Sequence, residues 1–292
     1  MHKTRGEKAF QIVDIILMAI ILAVVIFPIL NVLSLSVSSR EAILNNEVTI
    51  YPIGFNFDAY IDVMENSQFN RSLINNVGLT IVGTFLAVLV TLMVSFALTK
   101  DFLGKKIINY YFILTMYFSG GLVPTYIIVA TVLDLRNTYW VLILPSLVSV
   151  FYIIVMRSQI ETMPTEVFEA SYIDGANEFQ TVFLVVLPMI SPTIAAIAMF
   201  FALSFWNMWY NVMIYIDYDK HWTLQYFLRV VVFEKFLSQY SSTSLTVEFD
   251  EMIPEENFRN AAVVMVAAPI VAIYPFVQKY FVKGIISGAV KG

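Results

Sequence analysis

The chain has 292 residues, of which 59% are apolar and only 13% are charged, and its net charge is −5. Soluble domains carry about 25% charged residues, so this composition excludes an ordinary soluble enzyme and a disordered chain. The chain has no cysteine and only two histidines, which excludes disulfide scaffolds and metal sites built from those residues within it. The net negative charge argues against nucleic acid as a partner.

Six charge-free segments follow one another along the chain, and each is long enough to cross a membrane as a helix of about 20 apolar residues. The fifth segment is the longest. We interpret it as one span, because Pro188 and Pro192 lie in its first third and no Gly or Pro follows to form a hairpin turn. The sequence therefore predicts an all-α, polytopic membrane protein with six transmembrane helices. The six segments are 15–39, 72–99, 107–133, 137–156, 179–216 and 260–278.

Basic residues between the predicted spans indicate the orientation of the chain. Lys and Arg are more frequent in short cytoplasmic loops, and the short loop after the second span carries Lys100, Lys105 and Lys106. This loop predicts that both termini lie in the cytoplasm. Three regions are expected. They are an N-terminal tail with the first span and an outer loop (1–71), a core transmembrane domain (72–283) and a cytoplasmic C-terminal tail (284–292).

The spans lack the groups that would drive transport by themselves. Ionisable residues within spans mark ion or proton pathways, but Asp14, at the cytoplasmic edge of the first span, is the only one near a span. A phosphate-binding loop is also missing, because Thr99 and Lys106 replace its first Gly and its Ser or Thr around Gly104-Lys105. We expect any ATP that drives transport to be hydrolysed by another chain.

Proline and glycine predict breaks within the spans. Gly120-Gly121, just before Pro124, favours a break in the third span, and broken helices line the cavities of many transporters. Membrane helices also tolerate proline without a functional role, so both interpretations stay open for each residue. The prolines in or beside the spans are Pro28, Pro124, Pro145, Pro188, Pro192, Pro269 and Pro275.

Polar side chains in the fifth span are candidates for a substrate pathway. Ser204, Asn207 and Asn211 have the spacing of one helix face. Amides bind hydroxyl groups and aromatic rings cover the apolar side of a sugar, so this face suits a polyhydroxylated ligand. Alternatively, the amides hold helices together and the rings form an interfacial belt. The flanking aromatic residues are Trp206, Trp209 and Tyr210.

A second polar stripe runs along the second span. We expect these hydroxyl groups to bond the carbonyls one turn earlier in their own helix and to have no further role. The stripe consists of Asn76, Thr80, Thr84, Thr91 and Ser95.

The polar stretch 163–187, between the fourth and fifth spans, predicts two short helices on the cytoplasmic side. Pro164 and Glu166 suit the start of a helix. Gly175 favours a chain break, and Asn177 with Gln180 has the spacing of a capping box. A small exposed helix of this kind suits either contact with a soluble partner or a simple connection between spans.

This stretch resembles the EAA loop of ATP-binding-cassette (ABC) importer permeases. The family pattern is E-A-A, three residues, G, nine residues, I-x-L-P. The chain has Glu169-Ala170-Ser171, Gly175 and Val185-x-Leu187-Pro188 at that spacing, and it departs from the pattern at Ser171 and Val185. The segment Tyr172–Ala176 resembles the extended motif of carbohydrate permeases. The turn 121–126 and the tail 288–292 are similar to the maltose-type second permease subunit.

The resemblance implies a type I ABC importer permease in the bacterial inner membrane. Its partners would be a second homologous permease chain, two copies of a cytoplasmic ATPase, an extracytoplasmic sugar-binding protein and membrane lipid. ATP and Mg²⁺ would bind the ATPase, and this chain would bind no cofactor and have no catalytic residue. It would form half of the pore for a carbohydrate, with plant or algal polysaccharide fragments rich in uronates as one substrate class.

The resemblance also assigns site residues. Glu169 would form charge-assisted contacts with the ATPase, Gly175 would permit the bend, and the tail would reach the ATPase interface. The residues that the family motif places in ATPase coupling are Glu169, Ala170, Ser171, Asp174, Gly175, Leu187 and Pro188, with Val290 and Lys291 in the tail.

Two other function classes fit the sequence less well. A stand-alone secondary carrier or channel is the alternative, and the lack of ionisable residues in the spans and of a visible inverted repeat disfavours it. An integral-membrane enzyme is disfavoured because no span carries a His or carboxylate cluster.

Overall fold

The computed structural model describes residues 5–231 and 256–289, and the regular secondary structure of this part of the chain is entirely helical. The helices up to residue 161 are α1 (Arg5–Ser36), α2 (Arg40–Leu44), α3 (Asp58–Glu65), α4 (Ser67–Thr99), α5 (Lys105–Tyr117), α6 (Leu122–Tyr126), α7 (Trp140–Ile143) and α8 (Val150–Glu161). Those that follow are α9 (Thr165–Ile173), α10 (Glu178–Gln180), α11 (Leu187–Met189), α12 (Ser191–Trp206), α13 (Tyr210–Tyr215), α14 (224–231) and α15 (Glu256–Ala289). Wider π-helical turns follow α6 at Ile127–Val132 and α10 at Thr181–Val186.

Three helices are long and apolar enough to cross a membrane without a break: α1, α4 and the part of α15 at Glu256–Ile273. Three further spans each consist of two helical segments that meet at a sharp bend. The bend measures 116° between α5 and the segment Leu122–Val132. It measures 49° between the segment Trp140–Ser146 and α8, and 90° between the segment Glu178–Met189 and α12. With each bent pair taken as one span, the described residues form six, the number predicted from the charge-free segments.

The bends follow the glycine and proline residues of the sequence. In the third span α5 ends at Tyr117, and Gly121 precedes α6 with a φ of 80°, a left-handed conformation that glycine adopts without strain. In the fifth span Pro188 and Pro192 lie in the first turns of α11 and α12, on either side of the bend. Each proline lacks a backbone donor and therefore fits best where a helix begins.

The chain divides into two compact units, which we describe separately. The units alternate along the chain, and the first boundary falls near the start of α4, after Asn70. The predicted regions 1–71, 72–283 and 284–292 stay a prediction. The first unit comprises Met1–Asn70 and Leu228–Pro269, and the second comprises Arg71–Phe227 and Ile270–Gly292.

In the first unit, no residue in the apolar window of α1 is buried. The segment after α1 folds back on the end of that helix. The Asn31 amide donates to the Thr49 carbonyl at 2.7 Å, and the hydroxyl oxygens of Ser36 and Tyr60 lie 2.8 Å apart. Because these bonds join residues distant in sequence, they hold the segment from α2 to α3 as a small compact cap.

In the second unit, α4 packs against the fourth and fifth spans. Ser95 of α4 donates to the Ile153 carbonyl of α8 at 3.0 Å. Gly83 of α4 faces the ring of the buried Phe205, and a Cβ atom at residue 83 would lie only 2.7 Å from that ring. The close approach of helix and ring therefore requires glycine at this position. The largest fully buried side chains of this unit include Leu92, Leu142, Ile153, Met156, Ile160, Ile190 and Phe205.

Candidate functional site

The segment predicted to couple to an ATPase forms a short helix that ends in a sharp chain reversal. Helix α9 ends at Ile173, and Gly175 has a φ of 80°. The Gly175 amide donates to the Tyr172 carbonyl at 3.1 Å, and the Ala176 amide donates to the Ser171 carbonyl at 3.0 Å. This pair of bonds is a Schellman motif, which satisfies the last carbonyls of a helix and needs a left-handed residue. The predicted chain break at Gly175 is therefore present.

The next helix begins immediately after this reversal. The side-chain oxygen of Asn177 accepts a hydrogen bond from the backbone N–H of Gln180. The side-chain oxygen of Gln180 accepts one from the backbone N–H of Asn177, and both bonds are 2.9 Å long. The predicted capping box is therefore present. A π-helical turn, Thr181–Val186, continues the chain toward the fifth span. Turns of this kind are rare in proteins, and those that occur are frequently located at functional sites.

The residues of the EAA-like motif do not all face the same way. Glu169, Ala170, Asp174 and Gly175 are exposed. Ser171 is only 8% exposed, and its hydroxyl donates to the Phe168 carbonyl at 2.8 Å. Ser171 therefore faces the interior of the chain, where its hydroxyl lies 3.4 Å from that of Thr181. Of the three remaining motif residues, Val185 and Leu187 are half-buried and Pro188 is exposed.

The outer surface of this region is a mixture of charged and apolar side chains. Ile173, at the end of α9, is 86% exposed, and Phe179 and Leu184 are also exposed. An open groove lies beside α9. Its lining includes Val167, Ala170, Asp174, Gln180, Leu184 and Val185. Exposed apolar side chains that form a contiguous patch mark a surface that contacts another protein or the membrane.

Lys100, whose place in the sequence indicates only the orientation of the chain, contacts both sides of the chain reversal. Lys100 follows the last residue of α4, and its Nζ lies 3.1 Å from Oε2 of Glu178. The Lys100 ammonium also donates to the Tyr172 hydroxyl. It lies 4.6 Å from the centre of the Phe96 ring and 4.8 Å from the centre of the Tyr172 ring. Partial burial opposes the charge of Lys100, but the bonds to Tyr172 and Glu178 outweigh it and raise the pKa of Lys100.

The structure corrects the prediction that Ser204, Asn207 and Asn211 share one helix face. Helix α12 ends at Trp206, and α13 begins at Tyr210, so the fifth span is interrupted between them. Asn207 lies at the end of α12, and its amide donates to the Leu203 carbonyl of its own helix at 2.9 Å. Residues 204 and 211 therefore lie on different helices.

Side chains from elsewhere in the chain satisfy carbonyls at this interruption. The Thr223 hydroxyl donates to the Met208 carbonyl at 2.7 Å, and the Asn76 amide donates to the Trp206 carbonyl at 3.4 Å. These bonds replace helix hydrogen bonds that a continuous span would make. This explains how the span breaks without a glycine or proline at that point.

The candidate pathway residues are placed differently from one another. Ser204, Asn207 and Tyr210 are exposed, and Asn211 is half-buried. Trp206 is only 8% exposed, so its ring lies inside the chain rather than on the face formed by Ser204 and Asn207. Along the chain, Ser204 lies before the interruption, and Tyr210 and Asn211 follow it.

The expectation for the polar stripe of α4 is wrong. Ser95 bonds the fourth span, and Asn76 bonds the fifth, instead of a carbonyl one turn earlier. Among the described residues, the hydroxyls of Thr80, Thr84 and Thr91 and the amide oxygen of Asn76 are buried and have no hydrogen-bond partner. Buried polar groups normally have a partner, so these atoms are exceptions within the packed interior of the unit.

In the same unit, an ion pair between Arg136 and Asp217 joins two loops. The Asp217 carboxylate accepts from Arg136 and from Asn137, each at 2.8 Å. The hydrogen bond from the Asn137 side chain, together with the Arg136 charge, lowers the pKa of Asp217. The backbone N–H of Asn137 also donates to the Tyr215 carbonyl, at the end of α13, at 3.0 Å.

Some predicted features lie outside the described residues. Val290 and Lys291, which the resemblance places at the ATPase interface, belong to this group. Within residues 5–231 and 256–289, no cluster of three His, Asp or Glu side chains could hold a metal ion.

Comparisons with known proteins identify the family. No family model matches the chain. It is 33% identical to Protein LplC of Bacillus subtilis over its whole length and 98% of that protein. It is 30% identical to the polygalacturonan/rhamnogalacturonan transport system permease protein YtcP of the same organism, over 91% of this chain and 93% of that one.

A solved structure gives the same result. A crystal structure of a bacterial ABC transporter involved in the import of the acidic polysaccharide alginate contains a chain that matches with a TM-score of 0.86 and 26% identity. The match covers 96% of this chain and 99% of that one. The predicted resemblance and the all-α, six-span fold are confirmed. The chain therefore belongs to the family of carbohydrate ABC importer permeases, which are multi-pass membrane transport proteins.

Proposed function

We propose that this chain forms half of the translocation pore of an ATP-driven importer for an acidic oligosaccharide. The other half is a second homologous permease chain, and an external sugar-binding protein delivers the substrate. Two cytoplasmic ATPases bind and hydrolyse ATP with Mg²⁺, and they move the pore through helix α9. Both termini of the chain then lie on the ATPase side of the inner membrane, in agreement with the basic loop at residues 100–106.

The observation that carries this proposal is the geometry of α9 and its chain reversal. The helix is short, its Glu169 and Asp174 are exposed, and Ile173 adds an apolar contact at its end. The Schellman motif at Gly175 fixes the direction in which the chain continues toward the fifth span. A rigid helix of this kind transmits a push because its two ends continue into membrane spans.

Support for an acidic substrate comes from the relatives. One is a permease protein for polygalacturonan and rhamnogalacturonan, and a solved relative takes part in alginate import. In this chain, the pathway includes the exposed Ser204, Asn207 and Tyr210 and the half-buried Asn211. Their amides and hydroxyls suit sugar hydroxyl groups, and the Tyr210 ring suits the apolar face of a sugar.

The test replaces the glycine at the chain reversal. Gly175→Asp forces a side chain into a left-handed backbone (φ 80°), which costs about 1–2 kcal/mol. Gly104→Asp is the matched control, since Gly104 has a φ of 88°, has open space around it and lies in the other cytoplasmic loop. The complex with its native partners is reconstituted in vesicles, and import of a galacturonate oligosaccharide and ATP hydrolysis are measured together.

We expect the Gly175→Asp variant to insert normally but to lose ATP-driven import of the oligosaccharide. The Gly104→Asp variant should retain ATP-driven import. Glu169→Lys should have the same effect as Gly175→Asp, because it reverses an exposed charge on α9. Normal import by both α9-region variants would contradict the coupling role. Import by vesicles that contain this chain alone, without ATP, would instead support a stand-alone carrier or channel.

A further inference from the structure

We propose that Lys100 is a positioning residue that fixes the α9 chain reversal to the cytoplasmic end of α4, so that a push on α9 moves the second span. This inference rests on the proposed function, because it assigns a path for the movement that α9 receives. The three groups involved are the ammonium of Lys100, the hydroxyl of Tyr172 and the carboxylate of Glu178.

The position of the two partners along the chain makes this contact specific. Tyr172 precedes Gly175 and belongs to α9, whereas Glu178 follows Gly175 and belongs to α10. Lys100 contacts both, and the Tyr172 hydroxyl lies 3.3 Å from Oε2 of Glu178. The three side chains therefore close a ring of contacts across the chain reversal. Gly175 is the point at which the backbone could otherwise bend.

The base of this contact is the end of α4. The Lys100 ammonium lies over the ring of Phe96, which is 5% exposed and belongs to the packed interior of the unit. An ammonium near an aromatic face is attracted to it. The lysine therefore has a fixed position relative to α4, and its contacts with Tyr172 and Glu178 extend that position to α9 and α10.

A neighbouring lysine in the same loop offers a matched comparison. Lys105 lies 3.1 Å from Asp101, a residue of its own loop, and it donates to the Thr99 carbonyl at 3.3 Å. Its ion pair thus has the same length as that between Lys100 and Glu178. The contacts described for Lys105 lie within residues 99–105, so they do not join α9 to α4.

The lysine contact has a definite consequence for coupling. When it is present, α9, the reversal and the end of α4 move together. When it is absent, α9 can rotate about Gly175 while α4 stays in place, and part of the ATPase movement is lost. We therefore expect ATP hydrolysis to continue while less substrate is imported for each ATP consumed.

The experiment uses the assembled importer in vesicles and measures the ratio of oligosaccharide imported to ATP hydrolysed. Lys100→Met keeps the aliphatic stem and removes the charge, and it should lower this ratio by at least about 5-fold, the lower end of typical coupling between sites. Lys105→Met should leave the ratio unchanged. Lys100→Arg should retain most of it, since the charge and donors remain. A merely structural role would lower assembly and both rates together instead of the ratio.

The charge reversal identifies the partner. Lys100→Glu and Glu178→Lys should each lower the ratio, and the double variant should recover part of it. If the Lys100→Met complex does not assemble, Tyr172→Phe and Glu178→Gln are used instead. Each removes one partner of Lys100 and should also lower the ratio of oligosaccharide imported to ATP hydrolysed. Equal ratios for Lys100→Met and Lys105→Met, or no recovery in the double variant, would overturn the positioning role. Failure of the wild-type complex to import with ATP would overturn the proposed function instead.

Discussion

The interruption of the fifth span depends on a threonine that lies beyond it in the sequence. Thr223 is 1% exposed, and its hydroxyl donates to the Met208 carbonyl at 2.7 Å. The same oxygen accepts from the Tyr226 amide at 3.4 Å, so Thr223 also caps the start of α14. Thr223→Val keeps the shape of the side chain and removes both bonds. It therefore isolates the contribution of the hydroxyl group.

The expected loss can be worked out from these two bonds. A buried carbonyl left without a partner costs about 1–3 kcal/mol, and loss of a helix cap costs about 1 kcal/mol. We therefore expect Thr223→Val to lower the free energy of unfolding by about 2–4 kcal/mol. Thr223→Ser keeps the hydroxyl and removes one methyl group, which costs about 1 kcal/mol.

The assay is a titration of the purified chain in mixed micelles with a denaturing detergent, followed by tryptophan fluorescence. Thr115→Val is the control, because the Thr115 hydroxyl is exposed and bonds the Phe112 carbonyl of its own helix at 2.8 Å. We expect it to have a much smaller effect. The reasoning is refuted if Thr223→Ser costs as much as Thr223→Val, since packing rather than hydrogen bonding would then stabilise the site.

Two further predictions concern the same unit. Gly83→Ala should lower the free energy of unfolding by about 1–3 kcal/mol, because its methyl group would lie 2.7 Å from a buried ring. Gly78→Ala is the control in the same helix. The space around Gly78 is open, so this change should be neutral or stabilising by up to ~1 kcal/mol. The detergent titration compares them, and equal effects would contradict the packing argument. Because the pKa of Asp217 is lowered in the folded chain, its stabilisation should be present above the ordinary Asp pKa of about 4 and should be lost as the pH falls below it. The difference in stability between the wild type and Asp217→Asn should therefore stay constant from pH 8 to pH 5 and shrink below pH 4, and a decrease already between pH 7 and pH 6 would contradict this assignment.

The sequence was sufficient for features that depend on local chemistry. The six spans could be located because a bilayer requires long runs without charge. The break in the third span follows from Gly121, and helices α9 and α10 follow from Gly175 and from the capping pair Asn177 and Gln180. In each case the residues that determine the structure lie within a few positions of it.

Features that depend on distant partners could not be predicted in this way. The fifth span breaks at residues 207–209, where Asn76 and Thr223 supply hydrogen bonds from outside the span. Asn76 is 130 residues away from its acceptor along the chain. The contact between Lys100 and Tyr172 also joins residues far apart, with a separation of 72. No pattern within one segment indicates such a pair, so these contacts required the folded chain.

The exposure of α1 has a consequence for how the protein is made. No residue in the apolar window of this helix is buried in the described structure, and its backbone bonds are internal to the helix. The stability of this window in lipid therefore comes mainly from the helix itself. The first span can thus enter the bilayer as soon as it is synthesised, and it then tethers the growing polypeptide to the membrane while the bent spans assemble behind it.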